Sequence, residues 1–430
     1  MKLALYRMAT TLGGSLIRLY LNRRLKRGKE DPARFNERLG QASLPRPDGK
    51  LVWMHAASVG ESLSILPLID RLRTDHGDWS VLVTTGTVTS ARLMAERLPE
   101  GALHQYVPVD RVSYVRRFLE HWKPDLALWV ESEFWPNLVI ETRASAVPMV
   151  VLNGRVSAAS YDGWLKNHAM IKRILSAFVL VLAQSERDGE RFRTLGAKNI
   201  TLPGNLKFAG GPLPVNALDL QTLQTQVGQR PRWLATSTHA GEEAICGRVH
   251  MHLKTKLPGL LSIIVPRHPE RGEAVADELR QMGLNVARRS AAEAIAPDTD
   301  IYIADTLGEL GLFYRLCQLV FIGKSMVGVG GQNPIEPAQL SCALIFGPDM
   351  SNFEDSSYKL AGSGGAFRVL NEQDLGETIK TLLNDDKARH NAAHAALNMA
   401  QSEAHVLDRV MDCLAPYLID AESGDKNART

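Results

Sequence analysis

The chain has 430 residues, 45% of them hydrophobic and 23% charged, which is long for one ordinary core and supplies apolar material for two. That balance excludes a disordered chain, and a formal net charge of +3, mixed along most of the length, gives no support to a nucleic-acid partner. Cys246, Cys317, Cys342 and Cys413 are too dispersed for a zinc site and read as reduced core residues of a cytosolic compartment.

The first 38 residues carry ten Lys or Arg against three acidic residues, with Leu3, Leu5, Met8, Leu12, Leu16, Ile17, Leu19 and Leu21 interleaved. This pattern predicts a basic amphipathic helix over 1–40 that lies on a membrane. The stretch between Arg7 and Arg18 has ten residues, against roughly 20 for a spanning helix. A signal peptide is also disfavoured, because no small-residue cleavage site follows an apolar run of suitable length. Arg23, Arg24, Lys26, Arg27 and Lys29 would favour an anionic lipid surface by roughly 1 kcal/mol per base. A solvated basic helix is the competing reading.

From Leu51 onward, LVWMHAAS, WSVLVTT, HQYVPVD, DLALWVES, MVVLNGRV and FVLVLAQS read as buried strands, with helical runs such as ESLSILPLIDRLR and VSYVRRFLEHW between them. Strands without polar alternation, each followed by a helix, predict a parallel sheet covered on both faces. A Gly-, Pro- and Gln-rich stretch near 209–230 reads as a linker. The alternation then restarts with RWLATSTH, LLSIIVPRHP, TDIYIADT, LVFIGKS, ALIFGPD and GAFRVL. Two doubly wound α/β domains follow, over 41–215 and 216–422, the second ending in purely helical segments that could pack back across both halves. In such sheets ligands bind beyond the carboxyl ends of strands, so two facing domains predict a cleft lined by residues at those ends.

Glu61 follows the strand LVWMHAAS and opens the next helix, which suits a general base. Ser58 and Glu61 also have the S-x-x-E spacing of a capping box, in which both side chains only satisfy helix N–H groups. A Ser58 nucleophile is the weakest option, since Ala56 replaces the first glycine of a nucleophile elbow. Glu131, Lys207 and Arg155 fall at further strand ends, either to stabilise developing charge or simply as surface ion pairs. In PRHPER, Arg267, His268 and Arg271 follow a strand, and Arg267 could hold a phosphate through its planar fork of donors. The run GVGGQNPIEPA allows close backbone approach and opens a helix, as a phosphate cradle would. Glu336 there suits a ribose hydroxyl pair better than a phosphate, and Gly308, Glu309 and Leu310 could add backbone donors. Asp298-Thr299-Asp300 has the DxD form of some metal sites, but it precedes a strand and reads as a turn; no other carboxylate cluster argues for a metal.

Together these segments resemble the 3-deoxy-D-manno-octulosonic acid (Kdo) transferase family of lipopolysaccharide assembly. The resemblance is carried by WMHAASVGES at 53–62, TTGTVTSA at 84–91, YVPVDR at 106–111, LWVESEFWPNL at 128–138, LNGRVS at 152–157, GNLKF at 204–208, VPRHPER at 265–271 and GGQNPIEPA at 330–338. It implies a GT-B fold with two Rossmann-like domains facing a cleft. It implies inverting, metal-independent and cofactor-free transfer of Kdo from CMP-Kdo to a lipid A precursor (lipid IVA), at the cytoplasmic face of the inner membrane. By motif position Glu61 becomes the proton acceptor, and Glu131 and Lys207 the transition-state stabilisers. CMP contacts fall on Arg267 and His268, on Gly308, Glu309 and Leu310, and on Asn333, Pro334, Ile335 and Glu336. Many relatives have a longer apolar anchor, so the interrupted N-terminus departs from the pattern. The alternatives are a GT-B transferase using another nucleotide sugar, a related epimerase, or a non-catalytic nucleotide-sugar-binding membrane protein.

Overall fold

The unalternated apolar runs form parallel strands with both faces covered, as a sheet of this composition requires. The computed structural model describes residues 2–328 and 330–423. They divide into two units, one formed by residues up to Gly210 together with those from His405, the other by Gly211–Ala404.

In the first unit the strands are β1 (Lys50–His55), β2 (Trp79–Thr85), β3 (Ala102–Tyr106), β4 (Leu126–Val130), β5 (Met149–Gly154), β6 (Leu180–Ala183) and β7 (Ile200–Thr201). They are ordered β3-β2-β1-β4-β5-β6-β7 and every pair is parallel. The order reverses between β1 and β4, so the loops leaving those two strands part to either side of one crevice. Trp53 of β1 and Trp129 of β4 pack edge to face at 4.9 Å and, with Phe118, lie at the centre of the core.

The second unit repeats the plan with β8 (Arg232–Thr238), β9 (Leu261–Pro266), β10 (Val286–Arg288), β11 (Ile301–Ile303), β12 (Leu319–Ile322), β13 (Ala343–Phe346) and β14 (Ala366–Arg368). Their order is β10-β11-β9-β8-β12-β13-β14, again all parallel, with the reversal between β8 and β12. The doubly wound architecture read from the sequence is present in both units, as the GT-B class requires. Two strands lie outside the expected set, the edge strands β7 and β10: their apolar residues, Ile200 in one and Val286 and Ala287 in the other, are too few and too closely flanked by polar residues to read as a run. Three of the cysteines are buried, and Cys413 is half-buried.

The run expected as one basic helix is two, α1 (Lys2–Leu12) and α2 (Gly14–Lys26), broken at Gly13. They are fastened to the first unit by the Tyr6 hydroxyl, which donates to Asp110 Oδ2 at 2.8 Å, by an Arg7–Glu141 ion pair, and by Leu21 packed with Leu39 and Tyr114. Leu5, Met8, Leu12, Leu16, Leu19 and Tyr20 remain exposed. Among the described residues no helix is long and apolar enough to cross a membrane. At the other end, Glu372–Asn384 and Asp386–Ser402 stay with the second unit. The final helix, Val406–Ser423, which the sequence reading placed in the second domain, groups with the first unit instead. There Arg409 Nε donates to Pro203 O at 2.6 Å and Asp408 pairs with Arg71 at 2.9 Å. Helical periodicity marks an apolar face but not the core that the face will cover.

Candidate active site

After β1 the chain turns through Ala56 and Ala57, and Ser58 caps α3 (Val59–Ser64). The Glu61 N–H donates to Ser58 Oγ at 3.3 Å, and the Ser58 hydroxyl donates to Glu61 Oε1 at 2.8 Å. The second carboxylate oxygen accepts the Ala57 N–H at 2.8 Å. The capping box is therefore real, with its returning bond taken one residue earlier than the usual position. Yet capping is not the whole role of this side chain. Glu61 is only 7% exposed, and burial, reinforced by the charges of Glu131 and Glu133, overrides the bonds from Ser58 and Ala57. Its pKa rises to about 7. A carboxylate half-ionised near neutrality has the proton affinity that a general base needs.

Glu131 follows β4, on the other side of the order reversal. Its φ is 59°, and its N–H donates to Leu152 O at 2.9 Å. A left-handed glutamate is uncommon, and such conformations collect at functional sites where the surroundings enforce them. The side chain is held by Lys207, whose Nζ reaches Glu131 Oε1 at 2.9 Å. Lys207 lies in the 3-10 turn Leu206–Ala209. Asn153 Oδ1 holds the Leu206 N–H at 2.9 Å, and Asn205 Oδ1 holds the Lys207 N–H at 3.0 Å. The first unit thus brings together Glu61, Glu131 and Lys207, three residues far apart in sequence.

Sequence reasoning missed Glu133, Asn153, Asn205 and His55. Glu133, whose own pKa is raised chiefly by burial, was visible as the second acid of ESE. Asn153 was visible as a polar residue inside the apolar run MVVLNG. His55 was hidden because a histidine ending an apolar strand looks like any core residue.

In the second unit Arg267 and His268 follow β9 and are both exposed. The His268 ring meets His239 edge to face at 5.9 Å. Arg271 is committed to the fully buried Glu243 at 2.8 Å, so it braces the turn. Among the described residues no carboxylate pairs with Arg267. Gly308, with φ 82°, precedes the helix Leu310–Leu316. The Glu309 carboxylate pairs with Arg289, Nε to Oε2 at 2.7 Å, a bond that holds its pKa down. Its backbone is what remains for a ligand.

The Gly-rich loop after β12 has φ of 111° at Gly330 and 66° at Gly331, and a Cβ on either would strike Asn352 or Met350. The glycines are therefore required by conformation and by space. Asn333 Oδ1 accepts the Ile335 N–H at 3.0 Å, Pro334 caps the short helix Ile335–Gln339, Ile335 is buried and Glu336 is half-buried. One support was not foreseen. Glu242, wholly buried, accepts N–H groups from Lys324 at 2.6 Å, Ser325 and Met326 at 3.1 Å, and His239 at 2.9 Å. It ties the loop after β12 to the loop after β8, across the reversal of the second sheet. Asp300 of the DxD sequence is taken up by Lys254 at 2.7 Å and the Asn285 N–H at 3.0 Å, consistent with a structural turn.

Residues 33–210 match the family model described as 3-deoxy-D-manno-octulosonic-acid transferase (kdotransferase). The 3-deoxy-D-manno-octulosonic acid transferase of Rickettsia bellii is 34% identical, covering 92% of this chain and 94% of that protein. That of Haemophilus influenzae is 34% identical over 88% of this chain and 89% of its own length. Among solved structures, the UDP-GlcNAc 2-epimerase from Neisseria meningitidis is similar with a TM-score of 0.58 at 12% identity, covering 84% of this chain and all of that one. At that identity the likeness is one of fold alone.

Proposed function

Because the chain belongs to the 3-deoxy-D-manno-octulosonic-acid transferase family, we propose that it is a glycosyltransferase carrying Kdo from CMP-Kdo to a lipid A precursor in lipopolysaccharide synthesis. The observation that carries the mechanism is the pairing, around one sheet reversal, of a buried Glu61 with a pKa of about 7 and a Lys207–Glu131 ion pair at 2.9 Å.

Glu61 takes the proton of an acceptor sugar hydroxyl. Each of its oxygens accepts one bond, from Ser58 or Ala57, and each retains a lone pair for that proton. The hydroxyl oxygen then bonds to the anomeric carbon of Kdo. The carbon–oxygen bond to the phosphate breaks, its electron pair leaving with CMP, and the configuration inverts. A phosphate ester departs without a general acid, so the larger contribution is fixed positive charge around the reacting groups. Lys207 supplies it on the first unit, held in position by Glu131.

On the second unit Arg267 offers two parallel donors to the CMP phosphate, with His268 beside it. The backbone at Asn333, Pro334 and Ile335 and at Gly308, Glu309 and Leu310 frames the nucleotide, and Glu336 accepts from its ribose hydroxyls. Mass spectrometry of the lipid product after incubation with CMP-Kdo is expected to show the acceptor heavier by whole Kdo residues, and the number gained reads the count directly. An unchanged lipid, or equal consumption of other nucleotide sugars, overturns the assignment.

The acceptor is an anionic glycolipid, and we place the chain on the cytoplasmic face of the inner membrane through α1 and α2. Leu12 and Leu16, 79% and 72% exposed, enter the lipid while the bases meet its head groups. Burying one leucine is worth about 1.5–3 kcal/mol. A Leu12→Asp, Leu16→Asp variant is therefore expected to bind anionic vesicles about 100-fold more weakly, with CMP-Kdo affinity unchanged. Wild-type binding that ignores salt concentration would count against the charged half of this contact.

A further inference from the structure

A cavity of about 410 Å³ opens in the first unit beside the turn that carries Glu61. Leu21 of α2, Val107, Val109 and Trp135 give it apolar walls, and it reaches Ala57, whose N–H holds the Glu61 carboxylate. His55 lines it as well. That side chain is 1% exposed, and its Nε2 has no protein partner among the described residues.

The neighbours of the ring limit where its proton can sit. Trp53 Nε1–H can only donate, and it gives its proton to Thr84 Oγ1 at 2.9 Å. The Thr84 hydroxyl can donate to His55 Nδ1 at 3.1 Å, or to Met54 O at 3.5 Å while Nδ1–H donates to it. Burial holds the ring's pKa down at about 4, so the ring is neutral and carries one proton. In the first arrangement that proton is on Nε2, a buried donor that faces a cavity and needs an oxygen.

Charge decides what kind of oxygen. Arg24 and Arg38 in the lining are matched by Asp110 and Glu133, and both arginines already pair with Glu30, at 2.6 and 3.3 Å. The wall is close to neutral and is not arranged for a phosphate. Its outer side is α2, which also carries the exposed Leu16, Leu19 and Tyr20. A chain leaving the membrane along that helix meets the cavity directly. His55 lies two residues before Ala57, so the oxygen it reads is at the sugar end of such a chain, where an acyl carbonyl sits.

We propose that this cavity seats one acyl chain of the lipid acceptor, with His55 Nε2–H donating to the carbonyl oxygen at the root of that chain. The inference rests on the acceptor being a glycolipid, and His55 is then a specificity-determining residue for it. The test is equilibrium binding of the lipid A precursor and of its fully deacylated sugar to the full chain. His55→Phe keeps the ring and removes the donor. It is expected to weaken the acylated ligand about 3- to 10-fold and to leave the deacylated one unchanged. His55→Gln, which keeps an N–H, retains most of the affinity. Val109→Phe, which fills the cavity without touching His55, is expected to weaken only the acylated ligand.

Equal loss for both ligands, or no loss in either ring or filling variant, overturns the proposal. Wild-type protein that binds the two ligands equally removes the acyl seat but keeps the acceptor. Wild-type protein that binds neither removes the acceptor assignment as well.

Discussion

Replacing Glu61 with Gln is expected to lower kcat for Kdo transfer by about 10²- to 10⁴-fold, the usual contribution of a positioned general base. The amide is nearly isosteric, so CMP-Kdo affinity should hold and the loss should fall on the chemical step. The wild-type rate is expected to rise with pH through about 7 and then level, because only the ionised carboxylate takes the proton. In the Gln variant that inflection disappears. A variant with full kcat would remove Glu61 from the mechanism.

The same residue gives a second, opposite readout. Its pKa of about 7 when folded stands above the unfolded value of about 4.3. The folded state therefore binds this proton more tightly than the unfolded chain. The stability it contributes is fully present below about pH 4 and is lost as pH rises through about 7, a loss of roughly 4 kcal/mol across the window. Glu61→Gln carries no such penalty. It is expected to melt above wild type at pH 8, and the two melting temperatures should converge toward pH 4. Identical melting behaviour at both pH values would mean that the carboxylate is not under the burial described for it.

Lys207→Ala is expected to cost about 10²- to 10³-fold in kcat, the scale of removing one preorganised charge from a transition state. It should also lower stability by about 2 kcal/mol, since Glu131 is left without its cation in a partly buried position. Lys207→Arg is a poor rescue, because a planar fork does not replace a compact ammonium held at 2.9 Å. Glu131→Gln in the same background gives the coupling between the pair, which should fall well short of additive. A Lys207→Ala enzyme with unchanged kcat and only a higher KM would place this lysine in binding rather than in charge stabilisation.

Much of this was legible from the sequence, because parallel strands buried on both faces are written as continuous apolar runs. Glu61, Glu131 and Lys207 stood out as charges at the ends of such runs. What the runs do not encode is which strand lies beside which. The adjacency of β1 and β4 makes Glu131 a neighbour of Glu61, and it arises only when the sheet is assembled. The same holds for Asn153 and Glu242, whose work is to hold the backbone of segments 53 and 82 residues away. Ser58 and Glu61 show the converse: the local spacing correctly predicted a cap and the strand-end position a candidate base, but the burial that raises the carboxylate's pKa is visible only in the fold.

The path of the chain also has a temporal side. Residues 211–404 are continuous and have every strand of their sheet within one stretch of polypeptide. The first unit, by contrast, is closed by the helix Val406–Ser423, which holds Pro203 and Arg71 from the far end of the chain. That helix is made after every residue of the second unit, and the strands it covers before any of them. A chain cut after Ala404 is therefore expected to keep the continuous unit intact and to leave Pro203 and Arg71 of the other without their partners.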